Sequence, residues 1–243
     1  MKSAELYLFD SGTLTLGEYE VPVPFFLIRH PDGDVVVDGG NPLGMARDPV
    51  AFLGEYADVF KVKMREDQHC AAQLTELGLA PAEIRYVVQT HLHFDHIGTL
   101  GHFPASEIVV HERELEAARA DEGGGYLGDF RDPSLRWRPV PGDHDLFGDG
   151  VVRLIETPGH SAGHMSLLVS LETTGPVLLT ADASDARANW DGRIPPRAFH
   201  SAEQAAESMR RLHELAAEHD PLIVFGHDPR NWATLQHAPD RYV

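Results

Sequence analysis

The sequence predicts an α/β layered sandwich, and three observations carry that prediction. Apolar runs of strand length gather in two halves of the chain, stretches of helical period lie between and after them, and a histidine or aspartate follows run after run at its carboxyl end. Strands and helices do not alternate one for one, so a parallel doubly wound sheet is not expected. In chain order, residues 5–9 before Asp10-Ser11-Gly12, residues 25–29, and residues 35–37 before Asp38-Gly39-Gly40 read as a meander. From Asp67, Cys70, Leu74 and Leu77 recur at helical spacing, with Gly78 as a stop signal. Residues 84–88 read as a buried strand, 108–110 as another, and 112–120 as a helix. The stretch 122–141, rich in Gly, Pro, Arg and Asp, reads as a lid or loop. Strands follow at 151–155, 165–171 and 177–180. The clearest helix starts at Ser201, whose Ser-x-x-Gln pattern with Gln204 is a capping box, and residues 222–225 form the last strand. No linker divides the chain, so residues 1–243 are expected to form one domain.

Composition narrows the function. Against 20 Lys plus Arg stand 38 Asp plus Glu, a formal charge of -18, which repels phosphate backbones and anionic lipid. Neither a nucleic-acid nor a membrane partner is expected; a small molecule is, acting on a monomer or homodimer. The single cysteine, Cys70, cannot close an internal disulfide, and no apolar h-region opens the chain, so a reducing, cytoplasmic setting is expected.

The 15 histidines carry the chemistry. His91-Leu92-His93-Phe94-Asp95-His96 places four donors in six positions, too crowded for one tetrahedral ion but suited to two adjacent ones. In a turn after a strand, alternate side chains splay apart, so His91 and His93 can face one metal while Asp95 and His96 face a second. His160, Asp182 and His227, each at a strand end, would complete the site. Five His and two Asp give each ion three private ligands and leave one carboxylate to bridge. A set without sulfur favours zinc and leaves manganese, iron or cobalt open.

These residues carry a resemblance. The HxHxDH cluster, Thr157-Pro-Gly-His160-Ser-Ala-Gly-His164, Thr180-Ala-Asp182-Ala-Ser and Phe225-Gly-His227-Asp228 resemble the metallo-β-lactamase superfamily, and within it the N-acyl-homoserine lactonases. The resemblance implies a four-layer αβ/βα sandwich with two Zn²⁺ at one edge. Metal one would be held by His91, His93 and His160, metal two by Asp95, His96 and His227, and Asp182 would bridge them. It implies that a zinc-bridging hydroxide opens a lactone ring, an N-acyl-homoserine lactone or a related one, with Asp95 returning a proton to the leaving oxygen. An esterase, thioesterase or amidase acting on a small neutral substrate is the alternative for the same centre. Asp182 stands where the best-known zinc β-lactamases use a cysteine, which sets that activity aside.

Two departures from the lactonase pattern stand out. Several lactonases carry a tyrosine three residues after the bridging aspartate, on the side of the substrate carbonyl, where this chain has Asp185; an anion there donates no hydrogen bond, and a helix cap or surface acid is the plainer expectation. The segment between Gly12 and Phe25 is also shorter than the loop that walls the acyl chain. Asp38, at a strand end before two glycines, resembles the aspartate that orients metal-bound histidines, or is a turn former. Phe94 is a candidate substrate contact, with a core aromatic as the default. His164 and Asp228 are expected to be structural. His30, His69, His102, His111, His144, His200, His213, His219 and His237 lack ligand-like surroundings and are expected mostly at the surface.

Overall fold

A computed structural model describes residues 4–120 and 125–243 of the chain. Its strands form two mixed sheets. β1 (Glu5–Leu16), β2 (Tyr19–Arg29), β3 (Val35–Val37), β4 (Phe60–Lys63), β5 (Tyr86–Val88), β6 (Glu107–His111) and β7 (Trp137–Val140) make the first, in the order β4-β1-β2-β3-β5-β6-β7. The second contains β8 (His144–Asp145), β9 (Val152–Glu156), β10 (Met165–Leu171), β11 (Gly175–Leu179) and β12 (Leu222–Val224), in the order β12-β11-β10-β9-β8. The helices are α1 (Leu43–Arg47), α2 (Pro49–Leu53), α3 (Cys70–Glu76), α4 (Glu112–Ala120), α5 (Arg187–Trp190), α6 (Ala202–His219) and α7 (Pro229–Trp232).

Period-two alternation builds the layers. On β1, Leu6 and Leu8 enter the central core while Tyr7 and Phe9 face outward onto Cys70 and Leu74 of α3. β2 repeats the division, with Phe26 and Ile28 inward and Phe25 and Leu27 outward. From the second sheet, Leu154, Leu167, Val169, Val177 and Leu179 meet that central core, whereas Ile155, Leu168 and Leu178 pack on Leu212 of α6. The succession helix, sheet, sheet, helix is the four-layer αβ/βα sandwich. Truncating a central leucine such as Leu167 to alanine is worth about 2–5 kcal/mol in such a core.

Some local expectations are corrected. Asp10-Ser11-Gly12 is a bulge inside β1, not a turn: the register moves from Asp10 opposite Pro24 to Thr13 opposite Pro22. The reason is polar self-satisfaction, since the Ser11 hydroxyl donates to the Val23 carbonyl and accepts the Asn41 N–H. Residues 13–24 therefore belong largely to a hairpin. Within 122–141, residues 122–124 lie outside the described ones, and Trp137–Val140 is a strand pairing parallel to β6, so the irregular stretch is shorter than expected. At α6, Ser201 Oγ accepts the Gln204 N–H, but Gln204 Oε1 has no partner, so only half of the capping box forms. No helix among the described residues is long and apolar enough to cross a membrane.

Candidate metal centre

β9 and β11 run antiparallel to β10, and β12 runs parallel to β11, so the carboxyl ends of these three strands share one edge. His160, Asp182 and His227 follow them there. In the other sheet β3 and β5 are parallel, and Asp38 and His91 follow their ends. The loops after β3 and β5 touch closely: a Cβ on Gly98 would lie 2.3 Å from the Gly39 carbonyl oxygen, a contact only glycine permits.

All seven candidate ligands are buried. The donor atoms of His91, His93 and His160 lie within 4.8 Å of one another, as do those of Asp95, His96 and His227, and those of His91, His96 and Asp182. Asp182 divides its two oxygens. Oδ1 is 3.3 Å from His96 Nε2 and 3.1 Å from His227 Nε2, while Oδ2 is 3.3 Å from His160 Nε2. Asp95 Oδ2 stands 3.7 Å from His227 Nε2.

Four of the histidines are fixed from outside by their other ring nitrogen. Nδ1–H of His96 donates to Asp38 Oδ2 at 2.8 Å, that of His227 to the Pro22 carbonyl at 2.8 Å, and that of His160 to the Arg197 carbonyl at 3.3 Å. The Thr90 hydroxyl donates to Asp38 Oδ2, so His91 Nδ1–H donates to Thr90 Oγ1 at 3.1 Å. Inside, the Nε2 atoms of His91, His96 and His227 and Oδ1 of Asp182 are buried without hydrogen-bond partners. Buried polar atoms are normally paired, and outward Nδ1–H bonds with inward Nε2 atoms left without hydrogen-bond partners are the pattern that metal-ligating imidazoles show. The donor set therefore fits divalent cations.

Electrostatics separates the two trios. Burial pushes the imidazolium forms of His91, His93 and His160 down, with His93 falling to about 3 and His160 to about 4. Burial acts on His227 and His96 too, but Asp182 and its neighbouring carboxylates overcome it, raising His227 to about 9 and His96 well above its ordinary value. Asp182, against the pull of burial, is held well below the usual carboxylate range by His227, His96 and His160.

Asp38 does more than form a turn. In the left-handed region at φ 65°, it accepts from Thr90 N, Thr90 Oγ1 and His96 Nδ1. Phe94 is buried among Leu14, Val23, Met45 and Leu53, with Phe60 edge-on at 5.2 Å, the packing of a core aromatic. Asp185 is neither surface acid nor helix cap, because Ala186 occupies the N-cap of α5. It forms a fork with Arg197, Nε to Oδ2 at 2.6 Å and Nη2 to Oδ1 at 2.9 Å, and Nη2 also reaches Asp182 Oδ2 at 3.3 Å. His164 Nδ1–H donates to Thr157 Oγ1 and its Nε2 accepts the Asp182 N–H, a structural duty as expected, and Asp228 caps α7. Among the other histidines, His30, His69 and His111 are buried, contrary to expectation; His30 bonds Asp149 and stacks on Phe147, and His69 bonds the Gly98 carbonyl.

Three residues near the centre have no signal in the sequence. Buried Glu114 on α4 accepts from Leu92 N, Ser161 Oγ, Gly163 N and Tyr126 Oη, tying the loop of His91 to the loop of His160. A glutamate inside a helix ordinarily points to solvent, so nothing marked it. Arg197 and Phe199 lie in a Pro-rich stretch without periodicity; the Phe199 ring, 62% exposed, stands edge-on to His160 at 5.2 Å and His93 at 5.7 Å.

Comparison with known proteins agrees with this fold. The family model described as the metallo-beta-lactamase superfamily matches residues 19–227. Among curated relatives, the N-acyl homoserine lactonase AttM of Rhizobium radiobacter is 40% identical over the whole of both chains. An N-acyl homoserine lactonase of a Bacillus species is 36% identical over 90% of this chain and 86% of its own. Among solved structures, an N-acyl homoserine lactone hydrolase with the product N-hexanoyl-L-homoserine bound at its catalytic metal centre superposes with a TM-score of 0.90 at 30% identity, covering all of both chains. With two sheets closing on one edge of histidines and aspartates, and with these relatives, the chain belongs to the metallo-β-lactamase superfamily.

Proposed function

We propose that this chain is a metal-dependent hydrolase that opens a lactone ring, with N-acyl-homoserine lactones as the substrate class and two zinc ions as cofactor. The observation that carries the proposal is the convergence of buried, unpartnered Nε2 atoms of His91, His96 and His227 on an Asp182 whose two oxygens face different histidine sets. His91, His93 and His160 would hold one ion, Asp95, His96 and His227 the other, with Asp182 shared. When bound, such a pair supplies Lewis acidity, bringing a coordinated water toward neutral pKa and polarising a carbonyl. Manganese, iron or cobalt could occupy the same donors. The names of the full-length relatives support the lactone class. A buried free thiol at Cys70 suits a reducing cytoplasm.

The protein's own groups then have defined tasks. Asp38 and Thr90 orient His96 and His91 through their Nδ1 hydrogens. Asp95 Oδ2 takes up a proton as water attacks the carbonyl carbon and delivers it to the ring oxygen as the C–O bond breaks, giving a hydroxy acid. The exposed ring of Phe199 offers an apolar wall for the acyl portion. Zinc-replete protein should hydrolyse N-hexanoyl-L-homoserine lactone, and Asp95→Asn should lower kcat by about 10²–10⁴-fold while losing less metal than rate. Protein that retains two metals per chain yet opens no lactone sinks the proposal.

The Asp185–Arg197 fork favours keeping a second reading, an esterase, thioesterase or amidase on the same centre. A side-by-side panel of acyl-homoserine lactones, simple γ- and δ-lactones and aryl esters separates the two by kcat/KM.

A further inference from the structure

Arg197 is the one cation that touches the candidate ligands among the described residues. Its side chain is 40% exposed, although its head group is fixed: Nε and Nη2 bind both oxygens of Asp185, and Nη2 also reaches Asp182 Oδ2. The backbone is fixed as well. Its carbonyl accepts from His160 Nδ1, and two residues on Phe199 N donates to the His160 carbonyl at 3.1 Å. No hydrogen bond to a described residue uses Nη1. A clamped guanidinium with two spare N–H groups, beside the Asp182 oxygen that faces His160, is a preorganised donor on the His160 side of the centre.

The geometry points to Arg197 as the residue that donates, from Nη1, to the substrate carbonyl oxygen during ring opening, with Asp185 as the positioning residue that holds the guanidinium in place. The inference rests on the lactone-hydrolase reading above. In that reaction a water oxygen bonds to the carbonyl carbon, the bond from that carbon to the ring oxygen breaks, one water proton passes to the ring oxygen, and the acid proton is released to solvent. Arg197 gains and loses nothing; it meets the negative charge as it grows on the carbonyl oxygen, which stabilises the transition state more than the neutral ester. It then pairs with the product carboxylate, a planar anion that suits a guanidinium. Asp185 removes a donor from this wall of the cleft, and Arg197 supplies another one 12 residues later in the chain.

The test uses zinc-loaded protein and three readouts: kcat and KM on N-hexanoyl-L-homoserine lactone, metal per chain by elemental analysis, and the Kd of N-hexanoyl-L-homoserine by calorimetry. Arg197→Leu is expected to lower kcat/KM by about 10²–10³-fold at unchanged metal content, and to weaken product binding at least about tenfold. Arg197→Lys keeps the ion pair with Asp185 and so guards against a folding defect; it should hold full metal yet recover less than about a tenth of the rate, because an ammonium cannot span both partners and the substrate. Asp185→Asn should reduce kcat with little change in metal. Wild-type rates and product affinity in Arg197→Lys overturn the proposal while leaving the lactonase reading intact, as does a loss of rate that merely tracks loss of metal. An active-site zinc protein that opens no lactone in wild-type form overturns the lactonase reading itself, and this proposal with it.

Discussion

Around His91, His93 and His160 burial dominates, whereas around His96 and His227 carboxylates do. Around one centre the same residue type is thus pushed in opposite directions by its surroundings. The first trio is neutral near pH 7, with His93 at about 3 and His160 at about 4, and is ready to donate lone pairs. In the second, the neighbouring carboxylates, Asp182 foremost, raise His227 to about 9 and His96 well above its ordinary value. Where carboxylates crowd, the positive form of a buried imidazole is favoured; where they do not, burial favours the neutral form.

The strongest way to break this contrast is Asp182→Ala, which removes the only carboxylate that reaches both trios among the described residues. It should leave less than one metal per chain and lower kcat/KM by about 10³-fold or more. Full occupancy of both sites in elemental analysis would refute the shared-ligand assignment. Asp38→Asn is gentler, because it alters the partner of His96 and, through Thr90, that of His91. Zinc affinity of the second site should fall about 10–100-fold and that of the first less, read by competition with a chelator. Equal weakening at both sites would erase the difference between the two trios.

The smallest effect is the most direct readout of charge. At pH 7.5, zinc entering the first trio should release almost no protons, whereas zinc entering the second should release up to about two, from His96 and His227. Calorimetry in buffers of different ionisation enthalpy measures this, and identical release for the two equivalents would contradict it. The sign of metal-free stability follows too. His93 and His160, lowered from ~6.5, contribute stability present above about pH 6.5 and lost as pH falls toward about 4 and 3. His227, raised to about 9, contributes stability present below about pH 6.5 and lost as pH climbs through 9.

The seven candidate ligands were legible in the sequence because metal chemistry demands particular side chains at strand ends, and period-two apolar runs mark where strands end. The strand at residues 165–171 and the helix at 112–120 were legible for the same reason, since one face must be apolar. Ser11-Gly12 misled because a bulge and a turn use the same residue types; only the opposite strand shows which one forms.

Asp185 shows where sequence stops. As a residue type it reads as a surface acid, and it joins the surroundings of the candidate ligands only because the 195–199 segment folds back to bring Arg197 against it. The same holds for Glu114, which joins two ligand loops from a helix that looks solvent-facing in one dimension. The sequence by itself determined the layers, the donors and their order along the chain, because hydrophobic period and ligand chemistry are local. Only the tertiary structure decided which imidazoles burial holds neutral and that a guanidinium borders the centre, because charge state and convergence depend on distances between residues far apart in the chain.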